Sequence, residues 1–409
     1  MKIVDMKCSA GYSGFFFDDK KAIKENAVGD GNAYRGTPVT QGFKAVRQPG
    51  ESVSIMLVLE NGQVAYGDCA AVQYSGAGGR DPLFIASDYI PVIEEALKPV
   101  LVGYELKNFR EAAKKVDSLE FKGGKLHTAI RYGATQALLD AVSKAKGKLM
   151  AEVISEEYNT EISKKIIPIF TQSGDDRYLN ADKMILKGVP ALPHGLFNTI
   201  EKTGQSGQNL LAYVEWLRER IDKIKVYEDY KPIIHLDIYG TLGYVFDMHY
   251  DRIADYIGKL EEAARGLELF LEGPIETNSL DGQIYALKTL REKCEAKGLN
   301  VKIVADEWCN TYEDIIAFTK EKSGHILQIK TPDLGGINNS IKSVLHCKQH
   351  GMGAYLGGTC NETERSAQVC MHIAMATSPM QVLSKPGMGV DEGYMINYNE
   401  MQRILALTA

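Results

Sequence analysis

The chain has no long apolar run: nothing in its 409 residues approaches the roughly 18 consecutive apolar residues needed to cross a bilayer. Its start, Met1-Lys2-Ile3-Val4-Asp5, meets charge before a signal-peptide core can form, so a soluble, cytoplasmic protein is expected. Seven cysteines include no Cys-x-x-Cys pair, and their odd number argues against a disulfide framework. Basic blocks are missing as well. With 47 Lys and Arg against 53 Asp and Glu, the net charge of −6 is mild and spread out, which speaks against nucleic acid or an acidic membrane as partner. One glycine-rich stretch, Ser75-Gly76-Ala77-Gly78-Gly79-Arg80, matches neither G-x-x-x-x-G-K-[ST] nor G-x-G-x-x-G, and it does not open a helix after a strand. A mobile loop is expected there.

The remainder suits an enzyme of two domains with a large core. Up to about residue 160, strands come first, at 2–7, 52–60 and 63–67, the last two joined by the hairpin pair Asn61-Gly62. Helical spacing follows over 83–100, 107–119 and 126–155, where Ile130, Ala134, Ala137, Leu138 and Val142 make one stripe. Strands followed by helices predict an α+β domain over 1–160. Strand and helix then alternate to the C-terminus. Strands are predicted at 166–171, 191–194, 233–237, 268–272, 302–306, 325–330, 353–357 and 381–385, with Pro190 and Pro193 interrupting the second. Eight such units over 161–409 match the roughly 250 residues of an α/β protein with a (β/α)8 TIM-type barrel.

Carboxylates close three successive apolar runs: Ile233-Ile234-His235-Leu236-Asp237, Leu269-Phe270-Leu271-Glu272 and Ile303-Val304-Ala305-Asp306. A lysine closes the next, Ile326-Leu327-Gln328-Ile329-Lys330. Any one acid at a strand end can be a helix N-cap. Three in consecutive units belong together at the C-terminal ends of parallel strands, where α/β barrels place their sites. Clustered carboxylates repel unless a cation lies between them, and oxygen-only ligation suits Mg²⁺. Glu307 adjoins Asp306 and is expected on the opposite side of its strand. His235 shares a face with Asp237 and is expected one layer deeper. Lys330, near the metal and partly desolvated, is expected to have a lowered pKa and to act as a base. Such a set is suited to pulling a proton from carbon beside a carboxylate. His194, ending the second strand, reads equally as a packing histidine or an acid–base group. Gln172, after the first strand, and Thr359 and Cys360, after the seventh, can present polar groups to a substrate carboxylate, and nothing near Cys360 lowers its thiol pKa by inspection.

Several longer segments carry a resemblance. They are Gly67-Asp68-Cys69-Ala70-Ala71-Val72-Gln73-Tyr74 with the glycine-rich stretch after it, Gln172-Ser173-Gly174-Asp175-Asp176-Arg177-Tyr178, Val304-Ala305-Asp306-Glu307-Trp308-Cys309-Asn310, Gln328-Ile329-Lys330-Thr331-Pro332-Asp333-Leu334-Gly335-Gly336 and Gly357-Gly358-Thr359-Cys360-Asn361-Glu362-Thr363. With Lys385-Pro386-Gly387-Met388-Gly389-Val390-Asp391-Glu392-Gly393 they span nearly the whole chain, which resembles the methylaspartate ammonia-lyases of the enolase superfamily. The resemblance implies an N-terminal capping domain over a modified barrel, usually as a homodimer. It implies reversible loss of ammonia from L-threo-3-methylaspartate to give mesaconate, with Mg²⁺ and an activating monovalent cation such as K⁺, in amino-acid degradation of the glutamate-fermentation kind. By the family pattern Asp237, Glu272 and Asp306 hold Mg²⁺, and Lys330 takes the C3 proton of the natural isomer. His194 meets the C4 carboxylate and serves the other face of C3. Gln172, Gln328, Thr359 and Cys360 match substrate-contacting positions, Gln73 an amine-side contact, and Leu383 the wall around the methyl group. No position offers itself for the monovalent ion. The Ala-Ser-Gly triplet and the Ser-Ser-x-Met-Pro loop of other ammonia-lyases are both missing, which agrees with metal-assisted elimination. Another enolase-type activity, such as a dehydratase, racemase or cycloisomerase, would keep the three acids. A catalytically silent binding barrel would have lost one of them or Lys330.

Overall fold

The computed structural model describes residues 1–409 apart from 77, 78 and 389. Eight parallel strands close into a barrel: Ile169–Phe170, Ala191–His194, Ile233–Asp237, Leu269–Glu272, Lys302–Ala305, Ile326–Ile329, Gly353–Leu356 and Gln381–Leu383. Each pairs with its neighbour in sequence and the eighth closes onto the first. The strands are covered on both faces, which is why their sequences read as unbroken apolar runs. Outward-facing Leu236, Leu271, Ile303, Leu327 and Ile329 join the large core shared with the helices. Inward-facing Phe170, Phe270, Val304, Ile326, Tyr355 and Leu383 form a separate small cluster inside the barrel. The two-residue alternation then stacks His235 under Asp237, Phe270 under Glu272, Val304 under Asp306 and Gln328 under Lys330.

The first strand is shorter than the predicted 166–171, because Pro168 has no N–H to give to a ladder. The second forms despite its prolines, pairing in register from Ala191 with Ile233 to His194 with Leu236. The fifth and sixth stop at Ala305 and Ile329, so Asp306 and Lys330 stand one residue beyond the ladder.

Ahead of the barrel, Ile3–Asp18, Arg47–Leu59 and Val64–Cys69 make a three-stranded antiparallel sheet. The first strand far outruns the predicted 2–7. Its middle, residues 9–14, is mostly exposed and rich in serine and glycine, so it carries no apolar alternation, yet it pairs from Ser9 with Ser54 to Tyr12 with Glu51. A short helix, Lys20–Glu25, follows the first strand, and after the sheet come Ala86–Leu101, Phe109–Asp117, Thr128–Lys146 and Met150–Tyr158. The predicted helix over 126–155 is therefore two. Gly147 takes a left-handed φ of 63° and ends the first, while buried Met150, Val153 and Ile154 continue the apolar spacing across the break. Thr128–Lys146 lies so close to the sheet that a Cβ on Gly67 would stand 2.4 Å from the Gly133 carbonyl oxygen, and one on Gly133 2.5 Å from the Cys69 nitrogen. Only hydrogens fit between them.

The sheet and its helices meet the C-terminal mouth of the barrel. Gly14 N–H donates to the Glu362 carbonyl at 3.0 Å, the Ser13 hydroxyl to Asn361 Oδ1 at 2.7 Å, and the Tyr132 hydroxyl to Glu362 Oε2 at 2.6 Å. Arg80, at the end of the glycine-rich stretch, pairs with Asp333 in the loop after the sixth strand at 3.0 Å. That stretch opens no helix, since the next begins at Ala86, and its central residues 77 and 78 lie outside the described ones.

Candidate active site

The three strand-end acids converge. Asp237, Glu272 and Asp306 are all buried and offer oxygen atoms within 4.8 Å of one another. Two of them sit directly opposite in register, Asp237 beside Glu272. Burial pushes Glu272 far above the usual carboxylate range, and the charges of Asp237 and Asp306 add to it. Asp306 is pushed up to about 6 by burial, with Lys330 opposing and Glu307 and Asp237 reinforcing the rise. Buried negative charge this dense requires a cation beyond the single nearby lysine. An all-oxygen donor set of this kind fits a hard divalent ion.

Lys330 Nζ lies 2.8 Å from Asp306 Oδ1 and 3.9 Å from Glu307 Oε2. Burial by itself lowers the ammonium pKa, but Asp306 and then Glu307 outweigh it, and the lysine rises above its ordinary value. The expected lowering is not found, because the carboxylate of Asp306 at this distance favours the ammonium form of Lys330. Glu307 also departs from expectation. It faces the cavity beside Lys330, since the strand has ended at Ala305 and alternation no longer governs a turn. Lys330, first among its neighbours, draws its pKa down.

A cavity of about 110 Å³ opens above these groups. Its walls include Gln73, Gln172, His194, Asp237, Asp306, Gln328, Lys330, Thr359 and Cys360, nine of the residues singled out from the sequence. Glu272 is not among them; it accepts a hydrogen bond from the lining residue Gln328, whose Nε2 lies 2.6 Å away. His194, with a left-handed φ of 75°, places Nε2 3.3 Å from Asp237 Oδ2, and its Nδ1 is buried without a partner. Lys330 and His194 end strands four steps apart in a ring of eight, so they face each other across the mouth. Gln73 donates to Asp18 Oδ2 at 2.6 Å, and its carbonyl lies 3.7 Å from the Cys360 sulfur. Burial raises the Cys360 thiol to about 12, so it stays protonated. Leu383 is set apart: it packs within the apolar cluster inside the barrel and does not line the cavity. Sequence reasoning passed over Tyr74, Arg80, Tyr239 and Met388, which do line it. Of these only Arg80 carried a signal, as the charge closing the glycine-rich stretch.

Residues 161–409 match the family described as methylaspartate ammonia-lyase C-terminus, and residues 1–159 the one described as its N-terminus. The chain belongs to the methylaspartate ammonia-lyase family. The Clostridium tetanomorphum methylaspartate ammonia-lyase is 56% identical over 408 residues, covering 100% of this chain and 99% of that protein. The crystal structure of that β-methylaspartase, a Mg complex, superposes with a TM-score of 0.97 over 100% of this chain and 99% of its own. The Citrobacter amalonaticus methylaspartate ammonia-lyase, solved with (2S,3S)-3-methylaspartic acid, is 53% identical with a TM-score of 0.98 and full coverage of both chains. A Bacillus cereus N-succinyl Arg/Lys racemase, 16% identical with a TM-score of 0.63 over 94% of this chain and 88% of its own, shares the fold.

Proposed function

We propose that this methylaspartate ammonia-lyase family member eliminates ammonia reversibly from L-threo-3-methylaspartate to give mesaconate. The convergence of Asp237, Glu272 and Asp306 beside Lys330, in a cavity sized for a small dicarboxylate, carries the reading. Family membership and the relatives solved with Mg and with 3-methylaspartic acid support it.

Lys330 is the base. It enters neutral and takes the C3 proton on Nζ; the C3–H electron pair moves onto the C4 carboxylate to give an enolate dianion, then returns to form the C2=C3 double bond as the C2–N bond of the ammonium group breaks and ammonia leaves. The C3 proton is weakly acidic because the adjacent C4 group is already an anion, and its removal gathers a second negative charge there. Asp237, Glu272 and Asp306 would hold a Mg²⁺ ion, which would supply Lewis-acid stabilisation of that charge. His194 steadies the C4 carboxylate and reaches the face of C3 opposite Lys330. Gln328 joins it there, while Gln172, Thr359 and Cys360 orient the substrate carboxylates. Gln73 meets the amine side. Leu383 bounds the methyl group from below through the residues it packs against.

The proposal extends to a two-domain division near residue 160, a homodimer, a cytoplasmic location, stimulation by K⁺, and a place in amino-acid degradation of the glutamate-fermentation kind. The test is absorbance of mesaconate after adding 3-methylaspartate, Mg²⁺ and K⁺. A rise that EDTA abolishes supports the reading; no rise, with turnover of another carboxylate in a parallel panel, replaces it with a different enolase-type activity.

A further inference from the structure

Beneath the three acids lies a chain of neutral polar groups that the elimination does not consume. Gln381 Nε2 is 2.7 Å from His235 Nδ1, and His235 Nε2 is 3.0 Å from Glu272 Oε2. All three residues are at most 1% exposed. The imidazole is held flat against the Phe170 ring, with centroids 4.0 Å apart and planes 10° from parallel, and meets the edges of Phe270 and Tyr355. A polar group in so apolar a layer is costly unless its bonds are specified.

The protons can be placed by elimination. A carboxylate that holds a cation is ionised and only accepts, so the ring nitrogen beside it, His235 Nε2, carries the hydrogen. An imidazole with no exposed surface, stacked on Phe170 and edged by Phe270 and Tyr355, stays uncharged, because a second proton would bury a charge among aromatic rings. Nδ1 therefore holds a lone pair and must accept, which obliges Gln381 to present its amide N–H₂ rather than its carbonyl. Gln328 Nε2 donates to Oε1 at 2.6 Å and His235 Nε2 stands 3.0 Å from Oε2 without an aligned hydrogen bond, so neutral groups from two different strands contact both oxygens of Glu272.

We infer that Gln381 is a positioning residue: it selects the Nε2–H tautomer of His235, and His235 in turn orients Glu272 for the divalent cation. The inference rests on Glu272 being a ligand of that cation, as proposed above. Partners of this kind, one bond removed from a ligand, typically change metal affinity about 10–100-fold when lost. Sequence gave no hint of the link, since Gln381 opens the eighth strand and His235 lies in the third.

Gln381→Met keeps length and flexibility and removes the donor. It is expected to weaken Mg²⁺ binding about 10–100-fold by calorimetry without substrate, with the thermal midpoint near the parental one when Mg²⁺ saturates. ¹⁵N spectra of histidine-labelled protein are expected to show His235 as the Nε2–H tautomer in the parent and a mixture or the Nδ1–H form in Gln381→Met. Glu272→Gln is the control for the underlying reading. If Glu272→Gln leaves Mg²⁺ affinity unchanged, the ligand assignment fails. If Glu272→Gln abolishes binding while Gln381→Met binds Mg²⁺ as the parent does, the positioning role fails and the ligand assignment stands. A doubly protonated or Nδ1–H His235 in the parent also overturns the inference.

Discussion

Lys330→Ala and His194→Ala, read on both C3 epimers of 3-methylaspartate, test the division of labour most directly. The two side chains end strands on opposite sides of the mouth, so each addresses one face of C3. Loss of a general base typically costs about 10²–10⁴-fold, or about 3–5 kcal/mol of barrier. Lys330→Ala is expected to lose at least that on the threo substrate, since Glu307 beside it has a lowered pKa and is a far weaker base. The removal also strips Asp306 of its 2.8 Å partner. At an effective dielectric of about 20 that pair amounts to about 6 kcal/mol of Coulomb attraction, so the variant must be assayed with Mg²⁺ saturating to replace the lost charge. His194→Ala is expected to suppress the erythro reaction more than the threo one, with a smaller threo loss because it also steadies the C4 carboxylate. The assay is deuterium exchange at C3 from D₂O alongside mesaconate formation from each epimer. Exchange of the threo proton at the parental rate in Lys330→Ala, or equal losses on both epimers in both variants, refutes the two-base reasoning.

Asp306→Asn is expected to remain folded and to bind Mg²⁺ far more weakly, which calorimetry checks; parental affinity would remove Asp306 from the ligand set. Gln73→Ala is expected to widen the amines accepted in the reverse addition to mesaconate while moving stability little, because Gln73 lines the cavity and is tethered only through Asp18 and Cys360; unchanged amine scope and Michaelis constants place it outside the pocket. For pH, Asp306 binds a proton more readily in the folded protein, at about 6, than an exposed aspartate does at 3.8. The folded state therefore holds more protons in that window, so this group's contribution to metal-free stability falls as pH rises from about 4 to 6. Melting in EDTA across that window, against Asp306→Asn, reads the difference, and Mg²⁺ affinity is expected to weaken as pH drops through about 6. Gly133→Ala is expected to cost at least about 1–3 kcal/mol by urea unfolding, because its Cβ would stand 2.5 Å from the Cys69 backbone nitrogen; a neutral result would mean the helix can back away from the sheet.

Much of this was legible in the linear chain because each signal was local. Apolar runs covered on both faces, ended by a charged residue and separated by helical spacing, identify parallel strands and the end at which their acids meet. That is why Asp237, Glu272, Asp306 and Lys330 could be grouped before any coordinates, and why His235 falls one layer below. Local signals fail where the chain leaves its element. Glu307 follows the end of its strand, so alternation misplaced it, and Gly147 broke a helix whose apolar spacing ran on unbroken. The first strand's exposed middle pairs through its backbone, which leaves no mark in side-chain pattern.

By itself, then, the sequence determined the barrel, its preceding α+β elements, and the identity and common end of the catalytic groups, because periodicity of two or 3.6 residues is written in the order of side chains. Tertiary structure alone decided the electrostatics and the second layer. Lys330 is raised above its ordinary pKa despite burial because Asp306 comes within 2.8 Å of it and Glu307 lies near, and Gln381 reaches His235 only because the barrel brings the eighth and third strands within reach of each other around a closed ring. Charge states and hydrogen-bond relays depend on distance and burial in three dimensions, and those quantities appear only once the ring is closed.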